Sequence, residues 1–192
     1  MGNNGSGKTT LIKCLLGLEP FYGTIKFNNK KLQEVRSDIC VIYDDIPLYP
    51  ELSGFHNIRL LVSDLRRFNY NTILNFNLLS KKKLQQSTKN YSLGERKKLA
   101  ILAAMLSSPK FLIVDEISNG LDLETLEILK KNLIHLKKDC LILATGHHLD
   151  FYEQIVDDLL ILHNHSITQL KDFLKGGISL NDIYTEYLSG HQ

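Results

Sequence analysis

No run of apolar residues in this chain approaches the ~20 needed to cross a bilayer; the longest covers residues 99–106. No secretory leader precedes the first motif, so any action at a membrane is expected to pass through a partner. Cysteine is scarce. Cys14, Cys40 and Cys140 stand isolated in apolar runs, which excludes a metal-finger spacing and points to reduced, buried thiols. A basic excess is also missing: the net charge is +2, against the strong positive footprint of a dedicated nucleic-acid binder. There are no internal repeats and no low-complexity linker. What remains, at 192 residues with 43% hydrophobic and 23% charged content, is an ordinary globular chain with one core or a core plus a small lobe.

What is present begins at the second residue. Gly2 to Thr9 reads G-N-N-G-S-G-K-T, the spacing of a phosphate-cradling loop that opens a helix. The glycines let successive backbone N–H groups turn toward phosphate oxygens, and the helix N-terminus adds partial positive charge. On this reading Gly2, Asn3, Asn4, Gly5, Ser6, Gly7, Lys8, Thr9 and Thr10 bind the nucleotide, with Lys8 on the β- and γ-phosphates and the Thr9 hydroxyl on Mg²⁺. Such a loop normally hangs from a strand, yet only Met1 stands before it here.

Helical spacing is expected over residues 8–18, with β-type runs at 23–28 and 39–43. Residues 50–89 carry helical periodicity (Phe55, Ile58, Leu61 or Val62, Leu65) and read as a lobe inserted into an α/β core. A helix over 94–106 stops at Ser107-Ser108-Pro109. "KFLIVDE" is then an apolar strand ending in Asp115 and Glu116, and residues 123–137 form a helix with Leu126, Leu129, Leu133 and Leu136 on one face. "CLILAT" and "DDLLILH" read as two more buried-type strands, and the tail as one short helix. Apolar strands alternating with helices imply a mostly parallel sheet covered on both faces. At the carboxyl end of its strand, Asp115 is placed to hold Mg²⁺ and Glu116 to act as general base. "YSLGERKKLAIL" puts Ser92 and Gly94 at a second helix N-terminus, a second anion site.

These motifs, in this order, resemble the nucleotide-binding domain of ATP-binding cassette (ABC) transporters. Y-S-L-G-E stands where that family has its L-S-G-G-Q signature, and "SNGLD" (residues 118–122, ending in Asp122) is similar to its D-loop. "ATGHHLD" resembles the switch segment and selects His147 over His148, while "YDDIPLYPELSGFHNI" resembles the Q-loop and lobe entry. "GGISLNDIYTEYL" is similar to the close of many bacterial exporter-type cassettes. The resemblance covers essentially the whole chain and implies a P-loop NTPase of the ABC ATPase fold, α/β with a mostly parallel sheet flanked by helices, lacking the strands that precede the loop in relatives. It implies one domain over 1–192: a RecA-like core at 1–49 and 107–177, a helical signature subdomain at 50–106 and a C-terminal helix at 178–192.

The mechanism so implied is ATP hydrolysis with Mg²⁺ in a head-to-tail sandwich with a second ABC ATPase chain, identical or not. Ser92, Gly94 and Glu95 act in trans, and His147 contacts the γ-phosphate. Closure drives a transmembrane permease, with the chain held on the cytoplasmic face of the membrane and no nucleic acid involved. Asp44 falls where the family's Q-loop has Gln; a carboxylate there can bind Mg²⁺ or water but donates no hydrogen bond. Ser-Leu-Gly at 92–94 tilts the reading toward export. The alternatives are a soluble non-transport cassette, which tandem cassettes or a basic arm would favour, and an inactive cassette fragment. A GTPase is weaker, since N-K-x-D is absent. With a central strand missing, the chain alone is expected to be poorly stable and slow in hydrolysis. His163 and His165 read as a solvent-facing strand end and the Lys81–83 cluster as solvated surface; Tyr49 and Phe55 are open between lobe packing and a membrane subunit.

Overall fold

Gly7 sits at φ +102, a left-handed turn open to glycine, and releases the chain into α1 (Lys8–Leu15). Gly17 at φ +68 ends that helix, with Leu18 N–H donating to the Lys13 carbonyl, so α1 stops short of the expected residue 18. The computed structural model describes residues 1–3, 5–62, 70–171 and 179–189. Asn4, Leu65, residues 172–177 of the expected core and residues 178 and 190–192 of the expected tail helix therefore lie outside the described residues.

After α1 come α2 (Leu32–Val35), β1 (Ile39–Ile42), α3 (Gly54–Leu61), α4 (Tyr70–Asn75), α5 (Lys81–Leu84) and α6 (Leu93–Ser107). They are followed by β2 (Phe111–Asp115), α7 (Leu123–Leu136), β3 (Leu141–Thr145) and α8 (Leu149–Glu153). A hairpin of β4 (Asp158–His163) and β5 (Ser166–Lys171) precedes α9 (Leu180–Ser189). The run at 23–28 forms no strand: its one ladder contact is an isolated bridge between Phe27 and Lys30. Asn28 and Asn29 both take positive φ there, folding the segment into a tight turn.

β1, β2 and β3 form a parallel sheet in that order, Ile39 opposite Phe111 and Phe111 opposite Leu141. β2 is buried at every position, as its unbroken apolar run requires. From residue 99 to 106 α6 is apolar on all sides because it packs on α3 and α7 and against β1, joining lobe to core; Leu99, Ile101, Leu102 and Ala104 are fully buried. The lobe entry is fixed by Asn57, 1% exposed, whose amide accepts from Tyr49 N–H at 2.7 Å and donates to the Tyr49 carbonyl at 3.0 Å. Phe55 packs against the core cluster, whereas Tyr49 is exposed. Lys81 and Lys82 are exposed and Lys83 is half-buried.

The sheet is not continuous. β4 pairs antiparallel with β5 rather than with β3, and a groove of about 490 Å³ separates β3 from β4, lined by Leu143, Thr145, Leu160, Leu162, Ile12 and Met1. β3 is consequently half-exposed, Leu141 at 61%, and not the buried strand its sequence suggested. Met1 occupies one end of the groove. Its amine donates to the Leu160 carbonyl and its carbonyl accepts from Leu162 N–H at 2.7 Å, the bond pair of a parallel ladder. Burial, with Lys8 nearby, lowers that amine to about 6. Burial also pushes the Cys40 and Cys140 thiols up to about 11, which leaves them protonated and poorly nucleophilic at neutral pH.

Candidate active site

The loop of residues 2–9 is held at both ends. Gly2 lies so close to β4 that a Cβ there would stand 2.5 Å from the Leu162 carbonyl oxygen. Lys8, 8% exposed, folds its ammonium over the loop to donate to the Gly2 and Asn3 carbonyls at 3.0 and 3.1 Å. Among the described residues no side chain caps α1 and no acidic residue sits in its first turn, which leaves the amides there without a capping partner. Ser6 Oγ is buried with no hydrogen-bond partner among the described residues, an orphan hydroxyl in an anion-shaped turn. Thr9 and Thr10 are exposed on the first turn of α1. Asn3 Oδ1 accepts from Tyr184 of α9 at 2.7 Å.

Asp115, at the end of β2 and 7% exposed, accepts from Thr9 Oγ1 at 3.3 Å and from Thr145 Oγ1 on β3. A hydroxyl and a carboxylate converging beside an uncapped helix end are the hard oxygen donors that Mg²⁺ takes alongside phosphate, so these residues fit that ion. Glu116 follows at φ +53, a strained conformation for a side-chain-bearing residue. Its carboxylate is held at both oxygens: Asn119 Nδ2 donates to Oε2 at 2.6 Å, and His147 Nε2 lies 3.2 Å from Oε1. His148 is exposed and instead precedes α8. The structure thus brings Thr9, Asp115, Glu116 and His147 together.

Ser92 and Glu95 are engaged within their own chain. Ser92 Oγ accepts from Glu95 N–H and Glu95 Oε2 accepts from Ser92 N–H at 2.8 Å, a capping box opening α6. Glu95 also meets Lys83 at 2.8 Å. Burial alone raises the Glu95 carboxyl, but the Lys83 and Ser92 bonds outweigh it and hold the group below its ordinary 4.5. Because the folded state prefers the ionised form, this contribution is complete above pH 4.5 and disappears as pH falls through the lowered folded value. We expect E95Q to lose less than about 1 kcal/mol at pH 7 and to match the unsubstituted chain in acid; urea midpoints at the two pH values measure this. Asp122 N-caps α7 through Thr125 N–H at 2.7 Å, and that bond lowers its carboxyl. Gly94 packs on Thr125, whose Oγ1 would lie 3.3 Å from a Cβ.

Asp44, expected as a metal ligand, is paired with a lysine. Its Oδ1 accepts from Lys97 at 2.9 Å, while the rest of its side chain is half-exposed. Among the described residues no cluster of three His, Cys, Asp or Glu side chains forms, at Asp44 or elsewhere. Sequence reading also passed over Lys97, Asn119, Thr145 and Tyr152. Tyr152 donates to the Thr145 carbonyl at 2.7 Å, and burial pushes its hydroxyl up to about 12, leaving it a neutral donor. Its ring fills the space over Gly146, where a Cβ would come within 2.1 Å. We therefore expect G146A to shift Tyr152, cost on the order of 1–3 kcal/mol and lower the urea midpoint accordingly.

A family model described as ABC transporter matches residues 1–119. The lantibiotic transport ATP-binding protein SrtF of Streptococcus pyogenes is 30% identical over 196 residues, spanning 98% of this chain and 83% of its own length. The bacitracin transport ATP-binding protein BcrA of Bacillus licheniformis is 32% identical over 182 residues, spanning 88% of this chain and 58% of its own. Among solved structures, one described as the ATP-binding subunit of an ABC transporter superposes with a TM-score of 0.82 at 30% identity, covering 97% of this chain and 85% of its own. A dimeric ATP-binding cassette in a post-hydrolysis state with ADP and Pi shares the fold, with a TM-score of 0.76 at 21% identity over 89% of this chain and 83% of its own.

Proposed function

The chain belongs to the ABC transporter ATP-binding family, and from that premise we propose that this ABC ATPase energises a separate permease for export, by closing head to tail on ATP with a second cassette. The observation that carries the two-chain reading is the N-terminus of α6. Ser92 and Leu93 are exposed, and among the described residues no hydrogen bond joins 92–95 to the loop at 2–9. A helix start that is capped locally by Ser92 and Glu95 but makes no contact with its own chain's phosphate loop is a natural seat for a phosphate held by another. For direction, the reading leans on Ser-Leu-Gly at 92–94 and on relatives named for lantibiotic and bacitracin transport. Drugs, peptides or lipids are the cargo it suits.

In this mechanism the amides of Gly5, Ser6 and Gly7, the α1 N-terminus and Lys8 bind the phosphates of ATP. Mg²⁺, when bound by Thr9 and Asp115, supplies charge neutralisation on the phosphoryl oxygens. Glu116 accepts the proton of the attacking water at its carboxylate, oriented by Asn119 and His147. The core (1–49 and 107–177) and the lobe (50–106) swing together on closure, and the lobe meets the permease at the cytoplasmic face of the membrane. Among the described residues no helix is long and apolar enough to cross it. The test is sedimentation of E116Q with ATP and Mg²⁺: a shift to twice the monomer mass, abolished by S92R, is expected, and a monomer at saturating ATP overturns the two-chain reading. Co-purification with a permease and uptake into inside-out vesicles test export.

A second reading rests on the open groove between β3 and β4: the chain on its own binds ATP but turns it over slowly. Magnesium-dependent hydrolysis at ordinary cassette rates by the purified 192-residue chain would remove it.

A further inference from the structure

The sequence E-R-K-K at 95–98 reads as the polar start of a helix, yet Lys97 is 0% exposed. Its ammonium has three N–H donors and meets three acceptors: Asp44 Oδ1 at 2.9 Å, the Asn119 carbonyl at 2.9 Å and the Glu116 carbonyl at 3.4 Å. The three belong to separate segments, after β1, at the end of β2 and ahead of α7, and Lys97 reaches them from the first turns of α6. Two of them bracket one turn, because Asn119 N–H also donates to the Glu116 carbonyl at 3.2 Å. Glu116 is the strained residue of that turn. Its amide is tied to the Thr145 carbonyl at 3.1 Å on one side, and its own carbonyl to Lys97 on the other.

From this arrangement we infer that Lys97 is a positioning residue for the general base, and that Asp44 serves as its counter-charge rather than as a magnesium ligand. The inference rests on the reading of Glu116 as that base. A strained backbone persists only where its surroundings over-determine it, and a buried cation with every donor used is a rigid post. By holding the carbonyls at both ends of the 116–119 turn, Lys97 keeps Asn119 against the Glu116 carboxylate. It also makes the start of α6 and the catalytic turn one mechanical unit. Asp44 neutralises the post, and its half-exposed position lets water solvate the remaining oxygen.

The test uses K97M, which keeps length and apolar volume, and K97M/D44N, which removes both charges together and so folds even where the single variant suffers from an unpaired carboxylate. In the nucleotide-free protein, amide hydrogen exchange at Glu116 and Asn119 is expected to quicken at least about tenfold in both variants, with exchange across 101–105 of α6 unchanged. In turnover, kcat is expected to fall about 10- to 100-fold with KM for ATP nearly constant, since the loop at 2–9 is untouched. Unaltered exchange at 116–119 overturns the proposal. So does recovery in K97M/D44N, which would reduce Lys97 to a partner for Asp44. E116Q measured alongside separates the two readings: full turnover in E116Q removes the base assignment, while the exchange result still decides whether Lys97 holds the turn.

Discussion

Replacing Glu116 by Gln is expected to slow ATP turnover by about 10²–10³-fold while leaving nucleotide binding intact. The substitution keeps shape and keeps an oxygen for Asn119 Nδ2, which donates to Oε2 at 2.6 Å, so the turn at 116–119 has no cause to move. What it removes, in the proposed mechanism, is the proton acceptor, and general-base catalysis by a positioned group is worth roughly 10²–10⁴-fold. Asp115, which accepts from Thr9 at 3.3 Å, is not altered, so the side of the site proposed to hold phosphate and magnesium stays whole. Phosphate release gives the rate, and a fluorescent ATP analogue gives the affinity. Turnover near the unsubstituted rate would take the base role away from Glu116; a parallel loss of affinity would show that Gln disturbs more than proton transfer.

Replacing Lys8 by Met is expected to act on the other axis, weakening nucleotide affinity by about 10–100-fold, the worth of one or two charged hydrogen bonds. In the free protein this ammonium rests on the Gly2 carbonyl in a buried contact and on the Asn3 carbonyl in a part-buried one. Its exchange of those carbonyls for phosphate oxygens is what binding gains, since charge-assisted bonds to phosphate are the stronger kind. The amine of Met1, lowered in part by Lys8, rises toward its ordinary value in K8M. Equal affinity for ATP in K8M and the unsubstituted chain would mean that the loop binds through its amides alone.

Much of this site is legible in the sequence because it is built from local rules. The spacing of Gly2, Gly5, Gly7 and Lys8 fixes a turn into a helix, Ser92 and Glu95 form a capping box three residues apart, and the acids after the apolar run of β2 fall at a strand end. What is not legible depends on distant partners. Lys97 sits in a polar run, and only the meeting of three loops around it makes burial tolerable. Asn119 looks like a turn residue until the fold places it on Glu116. The β4–β5 hairpin escaped because its turn is Asn164-His165, both at positive φ, where the usual signal is Asn-Gly. β3 was misjudged for the opposite reason: its residues are those of a buried strand, but its neighbour on one side is a groove.

That groove gives ATP a second job. The phosphate loop hangs from β4 through Met1 and Gly2, whereas Asp115 and Thr145 belong to β2 and β3 on the far bank. The hydroxyl–carboxylate contact between Thr9 and Asp115 is a rivet across the gap. In the proposed mechanism a nucleotide and its ion would be gripped from both banks and act as a clamp, part of their binding energy going into setting the width of the cleft. On that reading the melting temperature is expected to climb with ATP concentration more steeply than with ADP, whose missing γ-phosphate would leave the far bank less firmly gripped.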